Sequence, residues 1–96
     1  MFLYFKNPTT IQAITFRLGY ARDQAGYEKN NRPSKLSISF SEIGSVVCSF
    51  LDQNVEQTIL LSEPVTTDYV YVTILDVYTG TEWDDTCIYE VKAYSP

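Results

Sequence analysis

A two-residue alternation of apolar and polar side chains constrains this chain most, because it returns along the sequence while no segment keeps a helical period over a useful length. Period two places successive side chains on opposite faces of a strand. In residues 11–18, Ile14, Phe16 and Leu18 share one face. Residues 35–40 are cleaner, with Leu36, Ile38 and Phe40 on one side and Ser37 and Ser39 on the other. Residues 69–75 set Val70, Val72 and Ile74 against Tyr69, Tyr71 and Thr73, and the tyrosine stripe reads as an exposed sheet face. Residues 46–50 are short and mixed. Residues 57–61 are expected to stop before Pro64. Residues 87–94 alternate imperfectly, which predicts a bulge near Glu90. A short strand at 2–5, ahead of an Asn7-Pro8 turn, completes an all-β, antiparallel reading.

The chain has 96 residues, enough for one domain (1–96) with one core. Hydrophobic residues make up 45% and charged ones 20%, a balance that favours a folded domain over a disordered one. The formal net charge of -5 and the lack of a basic cluster disfavour nucleic acid and anionic lipid as partners. No apolar run approaches the length of a membrane span, so membrane insertion is not expected. The apolar start at Met1–Lys6 is too short for a signal peptide and lacks a basic leader, so an export signal would lie upstream of this piece. Cys48 and Cys87 are far apart, have no metal-like spacing and sit in apolar, strand-like surroundings; they read as free, small hydrophobes. There is no histidine, which removes the commonest general base and metal ligand. With no nucleophile–base pair either, the chain reads as non-enzymatic, with no cofactor and no metal.

Strand parity locates the binding end. Consecutive antiparallel strands alternate direction, so every second connection emerges at the same end. The long connections 19–34 and 76–86 and the intermediate one at 51–56 therefore gather at one end, and the plain turns at 7–10, 41–45 and 62–68 gather at the other. Long ordered loops in a small domain are more often functional than accidental.

The loop end collects Tyr20, Tyr27, Asn31 and Arg32 from the first loop, Asp52 from the second, and Tyr78, Trp83, Asp84 and Asp85 from the third. A sugar needs flat aromatic faces for its C–H face and planar polar groups for its vicinal hydroxyls, and this set offers both. Trp83 is the natural platform. A structural reading stands beside the functional one: Arg32 pairs with Asp84 or Asp85 as a lock, and Trp83 packs under its loop. Asp84-Asp85 resembles a carboxylate pair, but sequence neighbours seldom converge in glycosidase geometry. No loop has EF-hand spacing.

Gly19-Tyr20, Tyr27 and Asn31-Arg32-Pro33 leading into Leu36–Phe40 resemble the discoidin-like (coagulation factor C-type, galactose-binding-like) domains. Leu51-Asp52 followed by Gln57, and Val77–Gly80 running into Trp83–Ile88 and Glu90-Val91, carry the same resemblance. The branch is the one attached to secreted NAD glycohydrolases and other bacterial surface proteins as a translocation or glycan-binding domain. The resemblance implies a jelly-roll-like β-sandwich truncated at its N-terminus, an extracellular or cell-surface setting, and a non-catalytic accessory role. Its expected partner is a glycan or glycoconjugate; the alternative is a protein-docking module that anchors a neighbouring domain or surface partner. Family members usually begin with a further strand and loop, so an exposed sheet edge and a homodimer through it are also expected. Tyr89 stands where the family commonly has Ser. Glu90 matches a glutamate that joins a Ca²⁺ site in related sandwiches, but the other ligands are absent here.

Overall fold

The computed structural model describes residues 1–41 and 43–96, so the turn expected at 41–45 falls partly outside the described residues. The elements in chain order are β1 (Phe2–Leu18), α1 (Gln24–Lys29), β2 (Arg32–Phe40), β3 (Gly44–Ser49), β4 (Gln57–Tyr78) and β5 (Ile88–Tyr94). They form one antiparallel sheet in the order β3-β2-β4-β1-β5.

The sheet is folded over on itself. β4 has 22 residues, and a straight strand of that length would reach about 70 Å. The longest dimension of the molecule is 40 Å, so β4 must turn back. Its start pairs with the second half of β1, and its end pairs with β2. The bend falls where the β1–β4 register slips, between Ile11↔Val65 and Ala13↔Leu60. Folding brings the apolar faces of the two halves together. Ile14, Phe16 and Leu18 of β1 join Leu36, Ile38 and Phe40 of β2, with Val70 and Val72 of β4, in one buried cluster. Phe50 closes it with an edge-on contact to Phe16 at 5.4 Å. Apart from Phe50, these are residues that the alternation put on one face; Ile74, assigned to the same face, lies outside the cluster at 37% exposure.

Three boundaries differ from the sequence reading. The expected strands 2–5 and 11–18 are one strand, and so are 57–61 and 69–75. Pro8 and Pro64 do not end these strands because neither is asked to donate a ladder bond. Pro8 lies inside a register slip, between Tyr4 and Thr9, and β5 pairs with β1 only from Ala13 onward. Pro64 lies in the second slip, and β2 reaches β4 only from Val70 onward. The third difference is α1, a six-residue helix inside the first loop. Its signal was Asp23, whose carboxylate caps the backbone N–H of Gly26 at 2.6 Å. One and a half turns are too short to display a 3.6-residue period.

The bulge and the free cysteines are as expected, and the open tyrosine face is corrected. The register slips between Arg17↔Glu90 and Leu18↔Ile88, leaving Tyr89 as the extra residue of a bulge beside Glu90. Tyr69 and Tyr71 are half-buried rather than open, because their cross-strand partners Tyr4 and Phe2 pack beside them; the Phe2–Tyr71 ring centroids are 4.1 Å apart. Cys48 and Cys87 are unbridged, and burial raises both thiol pKa values, keeping them protonated.

Candidate functional site

The three long connections meet at one end, as parity required. The bend in β4 acts as a turn, so strand direction alternates as if the halves were separate strands. Gly19 N–H donates to the Cys87 carbonyl at 2.9 Å, and Asn31 N–H donates to the Asp85 carbonyl at 2.9 Å. Gly19 has φ +80, and a Cβ there would press on Arg32 and Tyr27.

Arg32 is the hub. Its side chain is 11% exposed and forms a two-pronged pair with Asp52: Nε to Oδ1 at 3.0 Å and Nη2 to Oδ2 at 2.8 Å. Nη1 donates to the carbonyls of Glu28 and Asn30, both at 3.1 Å, and of Thr79 at 3.4 Å. The guanidinium lies over the Tyr27 ring at 5.2 Å. Tyr27 is itself buried and donates its hydroxyl to Asp52 Oδ1 at 2.9 Å. The guanidinium's hydrogen bonds hold the Asp52 carboxyl below the usual carboxylate range, and the Tyr27 hydroxyl assists. Burial and the adjacent Asp52 push the Tyr27 phenol well above its usual value. The expected pairing of Arg32 with Asp84 or Asp85 is therefore corrected: Asp52 is the partner, because the strand entry at Arg32 aims its fork at the second loop.

Asn31 ties the third loop. Its Nδ2 donates to the Asp84 carbonyl at 3.0 Å, and its Oδ1 accepts from Gly80 N–H at 2.8 Å. Gly80 sits so close to the backbone of Lys29 and Asn30 that a Cβ would clash with both. The last turn of α1 adds support: the Lys29 carbonyl accepts from Glu82 N–H and from Trp83 N–H. Tyr78 donates its hydroxyl to the Phe50 carbonyl at 2.6 Å, joining the second loop to β4. No described buried side-chain polar atom lacks a partner.

The sequence-derived set thus divides. Tyr27, Asn31, Arg32, Asp52 and Tyr78 converge in a network that holds the loops together. Tyr20 and Trp83 stay outside it at 38% and 48% exposure, with the Asp84 and Asp85 carboxylates also at the surface. Tyr20, Asn30, Trp83, Asp85 and Cys87 line an open recess of about 510 Å³. Trp83 does not pack under its loop, and Lys29 Nζ stands 5.8 Å from its ring centroid. Sequence reasoning missed the carbonyls of α1, Gly80 and Lys29, because α1 itself was not visible in the pattern.

Residues 1–94 match the model of the NAD glycohydrolase translocation F5/8 type C domain. The NMR structure of the Streptococcus pyogenes NAD+-glycohydrolase translocation domain is similar in fold, with a TM-score of 0.69 and 19% identity over 97% of this chain and 85% of that one. No curated protein matches the chain. The jelly-roll-like sandwich, with its long loops gathered at one end, thus has a solved counterpart at the level of fold, and the chain belongs to the NAD glycohydrolase translocation F5/8 type C domain family.

Proposed function

We propose that this chain is a non-catalytic docking module that uses the Trp83–Tyr20 face to bind a polypeptide. The observation that carries this reading is the division of the loop end. The forked polar groups best suited to sugar hydroxyls, Arg32 and Asn31, are buried and matched within the protein. What remains outward is an aromatic pair beside the recess, with exposed carboxylates at Glu82, Asp84 and Asp85. Aromatic anchors dominate protein hot spots, and an acidic rim favours a basic partner surface. The partner we favour is the NAD glycohydrolase catalytic domain that such a module accompanies, in an extracellular or cell-surface setting.

Carbohydrate recognition at the same place is the second reading. Its support is the recess itself, where Trp83 and Tyr20 offer faces for stacking and Asp85 offers a hydroxyl acceptor. In that reading Tyr27, Asn31, Arg32, Asp52 and Tyr78 hold the loops in place, and Tyr20, Trp83, Asp84 and Asp85 face the ligand.

One paired experiment separates the two. The chain and its Trp83→Ala variant are titrated against the catalytic domain encoded in the same genome and screened on a glycan array. The docking reading expects affinity for the catalytic domain that falls at least about tenfold in Trp83→Ala, the weight of one hot-spot residue. Glycan hits lost in the variant, without affinity for the catalytic domain, would establish the sugar reading instead. Binding to neither would remove both from this face.

A further inference from the structure

The sandwich is open along one side, away from the loop network. β3 is the margin of one layer and pairs only with β2. The first part of β4, residues 57–61, is a margin of the other layer, since β1 covers one flank and β2 reaches β4 only from Val70. Among the described residues, both margins therefore present unpaired backbone donors and acceptors. An apolar groove of about 460 Å³ lies between them, lined by residues 43–46 and Cys48 on one wall and by residues 59–63 and Val65 on the other.

The walls are core faces that are only partly covered. Val46 stands opposite Ile38, and Cys48 opposite Leu36, so both share the inward face of β2. Ile38 and Leu36 are fully buried, whereas Val46 is 39% exposed. On the other wall, Ile59 packs against the core only in part. β3 also lacks the usual protection of a margin: Gly44–Ser49 contains no charge and no proline.

We propose that this groove receives one extended segment of a partner polypeptide, which adds as a strand beside β3 and drops alternate apolar side chains between Val46 and Ile59. An unpaired strand margin is matched by another strand, and the spacing of packed layers, about 10 Å, admits one layer of side chains. Charge narrows the occupant further. Glu63 is exposed on the lining, and the chain carries a net charge of -5, so the segment is basic at the flank beside Glu63. A second copy fits less well. Its β3 would keep its own inward side chains over its own core and leave both grooves empty.

The inference does not depend on what the loop end binds, and its test reads different amides. Amide hydrogen exchange of the 96-residue protein is followed with and without a synthetic peptide of about nine residues, alternating valine and threonine between lysine ends, at about 1 mM. Exchange at Gly44–Ser49 should slow by about tenfold or more. Val46→Lys places a charge in the groove and should abolish that protection. Val47→Lys, on the outer face at 60% exposure, should leave it intact and controls for folding. A peptide with glutamate ends should protect less, and Glu63→Lys should reverse the order. No protection of β3, protection confined to the loop end, or equal loss in both lysine variants would overturn the proposal. So would sedimentation showing a dimer that Val46→Lys dissolves, since a second copy would then be the occupant.

Discussion

The loop end and the open side between β3 and β4 are built from the same sheet and treat their polar groups in opposite ways. At the loop end, irregular backbone is matched almost group by group: Arg32 serves Asp52 and three carbonyls, and Asn31 serves both Gly80 and Asp84. On the open side, regular strand backbone lies unpaired beside half-covered apolar residues. Irregular loops in this protein are thus more closely held than its strand margins. Composition suggests the reverse, because charged, aromatic loops look available and a valine-rich strand looks like core. What decides availability is whether a side chain already has its partner.

The sharpest way to break this contrast is to remove the acceptor at the hub. Asp52→Ala leaves the buried Arg32 charge and the Tyr27 hydroxyl without their shared partner. It should destabilise the fold by about 2–3 kcal/mol in urea unfolding, below the full buried-pair range because the Asp52 carboxyl is 38% exposed. A loss under about 0.5 kcal/mol would mean that the network orders the loops without stabilising the domain.

Acid probes the same lock more gently. Arg32 depresses the folded pKa of Asp52, so its contribution is present above the ordinary carboxylate value of about 4 and is lost as pH falls through the lower folded value. The gap in stability between wild type and Asp52→Asn should therefore narrow from pH 7 towards about pH 2. A gap that stays constant across that range would show that charge is not what Asp52 contributes.

The smallest effect belongs to the open side. Leu60 is 75% exposed, and Leu60→Ser should change stability by no more than about 0.5 kcal/mol. A larger loss would show that the margin of β4 is already covered in solution and would erase the comparison.

Much of this was legible in the chain. Alternation over Leu36–Phe40 and at Ile14, Phe16 and Leu18 named the core, because a pleated strand leaves no freedom about which face a residue takes. Parity named the loop end before any bond at that end was known. The partner of Arg32 was not legible, since Asp52, Asp84 and Asp85 differ only in where their loops lie. The continuity of β4 through Pro64 was equally hidden. Whether a proline ends a strand depends on which neighbour would have needed its N–H, and that neighbour is set by the fold.

The sequence by itself determined the all-β class, the inward faces over residues 11–18 and 35–40 and the end at which the long loops gather, because these follow from two-residue periodicity and strand direction, which are local properties. Only the tertiary structure decided that Tyr27, Asn31 and Arg32 turn inward while Tyr20 and Trp83 remain outward, and that β3, among the described residues, is paired on one side only. Hydrogen-bond partnership and strand order arise between segments far apart in the chain, and no local pattern encodes them.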